Sequence, residues 1–599
     1  MASGFRYVAF ACNAAALLAQ LAAATGGTGW NRAGEITAWG RLTSSGLRGE
    51  ARLSYDLRTG RYSKRFVLPV AGESAEVYDG KTVWSRDISG GVHPYDAWYP
   101  RARAVTEAYL TRRGYAREGD AAIVCLGSGS DRNRAVERVR VVPRDGVPAV
   151  LSIDVRTDLL DSVAIRTPIS TDVTWLGDYR QVGSLVLPFE VSSGTLFEPA
   201  NADAIAVSKY SVTRAVRASD FRKPDSVESA RMLHGAGSTT VPAILEGRQL
   251  LVWASVNGRA PMPFILDSGG HAILDSVSAN MLGLRGAGSG ESGGAGEGTI
   301  ALQYTRVRSV RIGEALLLDQ PFLIIPYPFS FYERGRRTPL AGILGLEWFE
   351  RYAARIDYSK QALTLTPLAH FHYAGSASPV PIRFQEDMPL AHASADGRAG
   401  AFGVDTGNGG MLILYGEFLR RTGLLATYAA GSTVHGEGTG GGNTGRLQKL
   451  QSFRFGGRNL ENLDADFTQM KTGAFSSWTE AGDLGLSVLS RFTPTFDYAR
   501  EVLYLDPVKR AFVMPANRSG IAFTKNEADR IDVVAVRPGS VAAAQGIATG
   551  DRIVAVNGKS AADFSSADFL DIVTGRPGTV VLLTVRRGAS ERSVRLILP

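Results

Sequence analysis

Two stretches of this 599-residue chain repeat the same four landmarks in the same order. The landmarks are an apolar run ending in Asp-Ser/Thr-Gly, a Gly-Glu-Gly-Thr, an apolar segment ending in Gly-Leu, and a closing Asp-Tyr. They lie at 267–269, 296–299, 343–346 and 357–358 in the first copy, and at 405–407, 436–439, 484–486 and 497–498 in the second. The first Asp and the later Gly are 78 residues apart in one copy (345 − 267) and 80 in the other (485 − 405). Such an internal repeat predicts two similar lobes.

Each copy supplies one carboxyl group, from Asp267 and Asp405, at the end of a run typical of a buried strand. Water attacks a carbonyl carbon when one carboxylate removes its proton and a second, protonated carboxyl polarises the carbonyl oxygen. Two carboxyls a few ångströms apart cannot both ionise easily, so they share a proton, and their pKa values belong to the pair. The repeat therefore predicts Asp267 and Asp405 as a catalytic pair, with the acid and base roles unassigned.

The residues after each Asp suit such a pair. Ser268 and Thr406 can each hydrogen-bond to the opposite loop, which would hold the two carboxyls in register. Gly269 and Gly407 permit a tight turn and a close backbone approach that a side chain would block. These four residues are predicted to support the catalytic loops.

These motifs resemble the aspartic peptidases, specifically bacterial proteins with tandem retropepsin-like halves. The resemblance implies a bilobal pair of acid-protease β-barrels, with one half at 240–370 and the other at 378–508. It also implies that the apolar-Gly segments at 343–345 and 484–485 pack beneath the catalytic loops. The sequence departs from the pattern at Gly270 and Asn408, where Ala or Ser commonly follows the triplet, and at Asp483, where an apolar residue is more usual.

Each half also has a glycine-rich stretch: the first Gly-rich segment is 286–298 and the second is 436–445. Both fit slack surface loops, but their place between the catalytic strand and the next hairpin favours mobile flaps that close over a substrate. His271, four residues after Asp267, is expected at the rim of the cleft or in a turn rather than as a catalytic base.

Residues 510–599 resemble a PDZ domain, an α+β fold. The matching residues are the loop Gly520-Ile521-Ala522-Phe523 and the segments 536–543 and 550–558. The resemblance implies that backbone N–H groups of Gly520, Ile521, Ala522 and Phe523 bind the carboxylate of a C-terminal peptide, which adds as a strand. Ala522 stands where a second Gly is usual.

Residues 28–224 form short alternating segments separated by Gly, Asp and Asn, the pattern expected of strands. The motifs at 78–84, 178–183 and 187–189 resemble the curved-sheet lipoprotein carriers of the LolA type. The resemblance implies a curved antiparallel β domain with a hydrophobic concavity that would bind a lipid or lipoprotein. A plain β domain that positions the peptidase, or covers its cleft as a pro-segment would, is the alternative.

Residues 1–24 have the layout of a secretory signal peptide, with one early positive charge, an apolar run and small residues near 22–24. They predict an exported protein, periplasmic or secreted, without a stable transmembrane segment after cleavage; a retained anchor is the alternative. Cleavage would leave Cys125 alone, so no intrachain disulfide is expected and cysteine-ligated zinc is disfavoured.

The net charge of +8 is spread along the chain without a basic run, which disfavours nucleic acid as a partner. The resulting expectation is a mostly β, multidomain aspartic endopeptidase that cuts protein or peptide substrates without a metal or organic cofactor. The alternative from another class is a catalytically inactive envelope adaptor, in which the PDZ and N-terminal domains bind ligands. A chymotrypsin-like serine peptidase, suggested by Asp-Ser-Gly-Gly at 267–270, is disfavoured because neither His93 nor His234 has the required setting.

Overall fold

The computed structural model describes residues 13–116, 119–246, 248–326, 340–428, 432–509, 517–525 and 530–599. Strands dominate these residues, as the alternating sequence patterns predict. The contacts divide the chain into two compact units. The first comprises Met1–Pro69, Glu73–Ser85 and Trp98–Pro224, and the second comprises Val70–Gly72, Arg86–Ala97 and Asp225–Pro599.

The first unit contains one large sheet, whose strands follow the order β5-β4-β3-β2-β1-β13-β12-β11-β10-β9-β8-β7. Neighbours such as β1 and β2, β1 and β13, and β8 and β9 pair antiparallel. The strands are β1 (Glu35–Ser44), β2 (Leu47–Asp56), β3 (Tyr62–Leu68), β4 (Gly72–Tyr78), β5 (Val83–Arg86), β7 (Ala121–Asp131), β8 (Arg134–Pro143), β9 (Ala149–Asp154), β10 (Leu160–Arg166), β11 (Thr171–Val182), β12 (Leu185–Thr195) and β13 (Asp203–Thr213). Strand β6 (Val92–Tyr95) lies in a segment of the second unit.

Two helices, α1 (Ala14–Ala24) and α2 (Trp98–Thr111), pack on this sheet. Leu18 and Leu21 of α1 are buried in a cluster with Tyr109 of α2 and apolar side chains of β8 and β9. Helix α1 covers the described part of the predicted signal peptide, and residues 1–12 of that prediction lie outside the described residues. Cys125 in β7 is disulfide-bonded in the uncleaved chain. The expectation of no intrachain disulfide concerns the chain after cleavage and stays a prediction, and Cys12 lies outside the described residues.

After β6, the second unit continues with β14 (Ala230–Met232) and then repeats one arrangement of strands twice. The first half contains β15 (Thr239–Glu246), β16 (Gln249–Val256), β17 (Met262–Leu266), β18 (Ile273–Asp275), α3 (Ser276–Met281), β19 (Ala287–Ser292), β20 (Ile300–Ile312), β21 (Ala315–Ile325), β22 (Gly342–Leu344), α4 (Leu346–Phe349), β23 (Tyr352–Asp357) and β24 (Ala362–Pro367). The second half contains β25 (Pro379–Gln385), β26 (Met388–Ala395), β27 (Arg398–Val404), β28 (Leu412–Leu414), α5 (Gly416–Thr422), α6 (Leu424–Thr427), β29 (Ser432–Gly438), β30 (Gly441–Phe455), β31 (Arg458–Phe467), β32 (Gly482–Leu484), α7 (Leu486–Leu489), β33 (Phe492–Asp497) and β34 (Val502–Pro507).

The repeat places the same strand pairs in both halves. Strand β17 lies parallel to β22, and β27 lies parallel to β32 in the equivalent position. The residues Met262–Leu266 of β17 are all buried, as the apolar run before Asp267 predicts. Strands β23 and β33 pair antiparallel with each other and so join the two halves, whose buried apolar side chains form one continuous core.

The last part of the chain forms a small sheet with its own core. Its elements are β35 (Ile521–Lys525), β36 (Ile531–Val536), α8 (Val541–Ala544), β37 (Arg552–Val556), β38 (Lys559–Ser560), α9 (Ser566–Val573), β39 (Val580–Arg587) and β40 (Ser590–Ile597). Residues 510–516 and 526–529 of the predicted PDZ domain lie outside the described residues. Within the described ranges, no helix combines the length and the apolar character needed to span a bilayer.

Candidate active site

The loops that follow β17 and β27 meet at the centre of the repeated pair. The backbone N–H of Ser268 donates to Oγ1 of Thr406 at 2.9 Å, and the N–H of Thr406 donates to Oγ of Ser268 at 3.0 Å. Each hydroxyl also donates across to the other half, Ser268 to the carbonyl of Val404 at 2.7 Å and Thr406 to that of Leu266 at 2.8 Å. These four bonds satisfy every polar group of the two buried side chains and fix one loop against the other.

The carboxyls of Asp267 and Asp405 lie within hydrogen-bonding reach of each other. Burial and the neighbouring charge of Asp405 hold the pKa of Asp267 well above its ordinary value. Burial, with the charge of Asp483, likewise raises the pKa of Asp405. The sequence-predicted pair is therefore brought together as two carboxyls that favour a shared proton over two charges.

Glycine is required beside the carboxyls for reasons of space. A Cβ on Gly407 would stand 2.5 Å from Cγ of Asp267, a distance that real side chains do not tolerate. A Cβ on Gly269 would stand 2.5 Å from Cε of Met388. The N–H of Gly269 donates to Oδ1 of Asp267 at 2.8 Å, and that of Gly407 donates to Oδ1 of Asp405 at 2.7 Å. Both backbone N–H groups thus orient a carboxyl, and the missing side chain of Gly407 leaves room for Asp267.

The closing Asp-Tyr of each repeat contributes a tyrosine that the sequence analysis overlooked. The hydroxyl of Tyr498 donates to the carbonyl of Ser268 at 2.9 Å, and so supports the opposite catalytic loop. Burial, together with the nearby charge of Asp405, raises the pKa of Tyr358. The repetition of Asp-Tyr marked both tyrosines in the sequence, but the motif alone did not show which groups they would contact.

His271 lies between carboxylates of both halves instead of facing the catalytic pair as a base. Its Nδ1 is 3.0 Å from Oε1 of Glu347 in the first half, and its Nε2 is 3.0 Å from Oδ2 of Asp387 in the second. His93 extends this chain: its Nδ1 is 2.7 Å from Oε1 of Glu350 and its Nε2 is 3.4 Å from Oδ1 of Asp387. Two imidazoles therefore alternate with three carboxylates, an arrangement suited to holding the halves together.

At both imidazoles, the neighbouring carboxylates raise the pKa by more than burial lowers it. Burial opposes the charged form of His93, but Asp387 and Glu350 raise its pKa to about 10. Asp387 and Glu347 likewise hold the pKa of His271 well above its usual range. Both histidines therefore carry a proton near neutral pH and act as cations.

Asp87, His93 and Glu350 together offer three ligand-type atoms within 4.8 Å of one another, an arrangement that could hold a metal ion. Metal ligation needs a deprotonated imidazole, whereas His93 is held protonated. Arg351 already pairs with Glu350, with Nη1 3.0 Å from Oε2. The negative charge of this cluster is therefore offset by His93 and Arg351.

The two Gly-rich segments meet through their backbones. The N–H of Gly296 donates to the carbonyl of Thr439 at 2.8 Å, and that of Gly298 donates to the carbonyl of Gly440 at 3.0 Å. Ala295 of the first segment packs against an apolar cluster of the second half that contains Tyr415 and Phe475. Each Gly-rich segment thus covers part of the other half, although it carries few side chains.

The predicted carboxylate loop of the C-terminal domain stands at the sheet edge formed by β35. Gly520 has φ of 78°, and a Cβ there would stand 2.2 Å from Cβ of Ser540, so the position requires glycine. The N–H of Gly520 donates to Oδ1 of Asn517 at 3.1 Å, and that of Ile521 donates to Oγ of Ser519 at 3.1 Å. Two of the predicted carboxylate donors are therefore engaged by the loop's own side chains, which the motif alone did not reveal.

The other two predicted loop residues, Ala522 and Phe523, are half-buried in β35. The ring of Phe523 packs edge-to-face on Phe569 of α9, with ring centroids 4.7 Å apart. Within the described residues, β35 is an end strand of its sheet and contacts α9, which is the position at which an added peptide strand would pair.

The first unit contains a cavity of about 1040 Å³ between strands of its sheet. Its lining includes the apolar side chains of Leu42, Leu176 and Ile205. Arg41, Arg48 and Arg132 also line it. Glu50, Asp161 and Glu190 line it as well, so the cavity combines apolar surface with charged groups of both signs.

Two regions of the chain match models of known protein families. Residues 252–348 match the family model for aspartyl proteases, and residues 533–587 match that for PDZ domains. Curated proteins give no match to the chain. Among solved structures, the chain is similar to a retropepsin-like aspartic protease from Rickettsia conorii, with 20% identity, 23% of this chain and 94% of that chain covered, and a TM-score of 0.17. It is also similar to a LolA superfamily protein from Nitrosomonas europaea, with 11% identity, 36% and 99% covered, and a TM-score of 0.25.

The chain is thus a mostly β protein that combines an aspartyl protease-like region with a C-terminal PDZ domain. The predicted fold class is confirmed, as are the sequence resemblances to aspartyl proteases and to PDZ domains. The predicted domain bounds and the roles of the individual site residues stay predictions.

Proposed function

We propose that the chain is an exported aspartic endopeptidase in which Asp267 and Asp405 activate a water molecule that hydrolyses peptide bonds. The observation that carries the proposal is the meeting of one carboxyl from each half, locked by the exchange of hydrogen bonds between Ser268 and Thr406. Substrates would be proteins or peptides.

The mechanism needs one proton shared by the two carboxyls. The ionised carboxyl takes a proton from water, whose oxygen attacks the carbonyl carbon, while the protonated carboxyl donates to the carbonyl oxygen. The tetrahedral intermediate then collapses as a proton passes to the leaving nitrogen, which breaks the C–N bond. The backbone donors of Gly269 and Gly407 hold each carboxyl in place, and the two Gly-rich segments would act as flaps that close over the peptide.

The test is cleavage of casein, or of a mixed peptide library, by the mature protein and by its Asp267→Asn and Asp405→Asn variants. Both variants should lose at least about 1000-fold of the activity, since each removes a group that takes part in the chemistry. Asp319→Asn and Asp464→Asn, which change exposed carboxyls in the first and second halves, serve as matched controls. Absence of Asp-dependent, pepstatin-sensitive cleavage between acid and neutral pH would leave the adaptor alternative in its place.

The flanking domains would select what reaches the site. A C-terminal peptide would add as a strand along β35, and strand β29, which contains part of the second Gly-rich segment, lies against β35 and β36. Titration with peptides that end in a free or an amidated carboxylate tests this, because only the free form should bind if the loop captures the carboxylate.

The cavity of the first unit would hold a lipid or the lipid of a lipoprotein. Trp175 is among its lining residues, so its fluorescence reports occupancy directly. A change on adding anionic phospholipid, absent in a Leu176→Lys variant, supports this role; no change with either protein counts against it. Export itself is tested by fractionating cells that express the full chain and sequencing the N-terminus of the mature protein.

A further inference from the structure

A short segment from the N-terminal part of the chain belongs to the second unit. It is Arg86–Ala97, called here the bridging segment, and it contains β6. It ends 133 positions before β14, the next strand of that unit along the chain (230 − 97). Its contacts with both peptidase halves show what a stretch so distant in the chain does there.

The bridging segment is fitted into the first half beside α4. Nη2 of Arg351 donates to the carbonyl of Ser89 at 2.8 Å and to its hydroxyl at 3.0 Å. Nδ1 of His93 is 2.7 Å from Oε1 of Glu350. A Cβ on Gly91 would stand 1.7 Å from Oε2 of Glu350, so the backbone passes as close to this carboxylate as a glycine allows. The side chains of Glu350 and Arg351 are 4% and 7% exposed, which makes this a buried contact.

The same segment is bonded to the second half at β25. Strand β6 lies beside β25, and the N–H of Ala97 donates to the carbonyl of Phe384 at 3.0 Å. The N–H of Phe384 donates back to Oδ1 of Asp96 at 3.0 Å, and Nη1 of Arg383 is 3.1 Å from Oδ2 of Asp96. The ring of His93 packs on that of Phe384, with centroids 5.0 Å apart. The segment therefore joins the two halves by a route separate from their own strand pairing.

His93 lies where these two sets of contacts meet, and it is 3% exposed. Its Nδ1 faces Glu350 of the first half, and its Nε2 is 3.4 Å from Oδ1 of Asp387 of the second, an ion-pair distance. The hydroxyl of Tyr95 donates to the same Oδ1 at 3.3 Å. The other oxygen of Asp387 is 3.0 Å from Nε2 of His271. The bridging segment thus holds one side of Asp387 while His271 holds the other.

The turn that contains Asp387 lies against the loop that carries a catalytic carboxyl. His271, the partner of Asp387, is four residues after Asp267 in that loop. Met388, which follows Asp387 in the chain, lies against the same loop nearer its start: a Cβ on Gly269 would stand 2.5 Å from Cε of Met388. A displacement of this turn would therefore disturb the loop at two points, and small misplacements of a catalytic group are costly in rate.

We propose that the bridging segment is a built-in part of the peptidase and that His93 is a positioning residue, which holds Asp387, and through it His271, so that the loop of Asp267 keeps its place. This inference rests on the proposed peptidase function. It also decides between the two roles open to the N-terminal region. That region is not a pro-segment to be discarded, because part of it belongs to the active peptidase.

The test uses the full chain with His93→Asn and His93→Gln, which separate the two contacts of the ring. The amide of Asn reaches the place of Nδ1, beside Glu350, whereas the longer Gln reaches the place of Nε2, beside Asp387. On a peptide substrate, kcat should fall about tenfold in His93→Asn, the effect of one lost contact to a charged group, and stay within about threefold of the parent in His93→Gln. KM should stay within about twofold in both, because the buried His93 does not touch the substrate.

His234→Asn is the matched control, since it changes an exposed histidine that is 2.8 Å from a carboxylate oxygen of Glu314, and it should keep the kcat of the parent. The kinetics are recorded well below the melting temperature of every variant, so that loss of folded protein does not enter the comparison. A kcat equal to that of the parent in His93→Asn, or equal losses in His93→Asn and His93→Gln, would overturn the positioning role.

Gly91→Ala tests the seating of the segment without any assay of cleavage. Its methyl group would collide with Glu350, so the melting temperature should fall by at least about 2 °C. Gly237→Ala is the matched control, because a Cβ on Gly237 meets open space, and it should melt with the parent. Equal melting temperatures of the two variants would overturn the inference. If the parent does not cleave, the proposed function fails, and a lower melting temperature of Gly91→Ala alone would still support the segment as part of this fold.

Discussion

Ser268 and Thr406 are each other's principal hydrogen-bond partners: the N–H of each donates to the side-chain oxygen of the other, at 2.9 and 3.0 Å. Both side chains are buried, so the exchange joins the halves at the point from which the two carboxyls project. The lock therefore contributes both to the stability of the paired halves and to the distance between Asp267 and Asp405.

Thr406→Val tests this exchange of hydrogen bonds with little change in the shape of the side chain. It leaves the buried N–H of Ser268 without its acceptor, which should cost roughly 1–3 kcal/mol of unfolding free energy and lower kcat/KM at least about tenfold. Thr406→Ser, which keeps the hydroxyl, should recover most of both. Urea unfolding and peptide cleavage measure the two effects.

The matched control for that substitution is Thr495→Val. Thr495 is equally buried, but its Oγ1 has no hydrogen-bond partner among the described residues, so valine should be neutral or stabilising there. A similar loss of stability in both valine variants would contradict the view that the cross-loop bonds matter, because packing alone would then explain the result.

Asp387→Asn should weaken the contact between the halves by leaving the imidazolium groups of His271 and His93 without their shared carboxylate. The loss should be about 1.5–3 kcal/mol, typical of hydrogen bonds to charged groups. The pKa of Asp387 is lowered by the two histidines, so its contribution is present above about pH 4 and is lost as pH falls.

His93 sets the upper end of the pH range in which this contact stabilises the protein. The pKa of His93 is raised to about 10, so its contribution is full below about pH 6.5 and declines as pH rises towards 10. The difference in melting temperature between the parent and Asp387→Asn should therefore be greatest between about pH 4 and pH 6.5. Asp319→Asn, which alters an exposed carboxyl, should show no such maximum.

For the catalytic pair, we expect the contribution to stability to change with pH in the opposite direction. The pKa values of Asp267 and Asp405 are raised by burial and by neighbouring carboxylates, so their contribution to stability is present below about pH 4 and is lost as pH rises. Asp405→Asn should melt close to the parent near pH 4 and above it near pH 8. Calorimetry across this range measures the trend, and a lower melting temperature than the parent at pH 8 would contradict it.

The sequence predicted those site residues that occur in both copies of the repeat. Asp267, Ser268, Asp405 and Thr406 stood out because two copies could be compared, and their strands follow from buried apolar runs. The partners of His271 did not stand out, because Asp387 and His93 are far from it in the chain and each is a single polar residue. Asp483 was visible only as a departure, because its meaning depends on which groups surround it after folding.

In the N-terminal region, the sequence predicted the strands but not their neighbours in the sheet. Alternating segments indicated strands, and the structure has them, but a period of two does not specify which strands are neighbours. The pairing of β1 with β13 joins residues far apart in the chain, as in Glu35 opposite Thr213, which are 178 positions apart (213 − 35). Likewise, the motif of the PDZ loop did not show that Asn517 and Ser519 would engage two of its N–H groups.

Gly520→Ala offers a direct test of the C-terminal loop. Its φ of 78° disfavours any side chain, and a Cβ would also collide with Ser540 at 2.2 Å, so the substitution should destabilise this domain and reduce peptide binding. Gly539→Ala is the matched control, since Gly539 has a similar φ of 71° but open space around it. Gly539→Ala should therefore incur only the backbone cost, roughly 1 kcal/mol, and Gly520→Ala clearly more. Equal melting temperatures for the two variants would mean that the close approach of this loop to Ser540 does not constrain the domain.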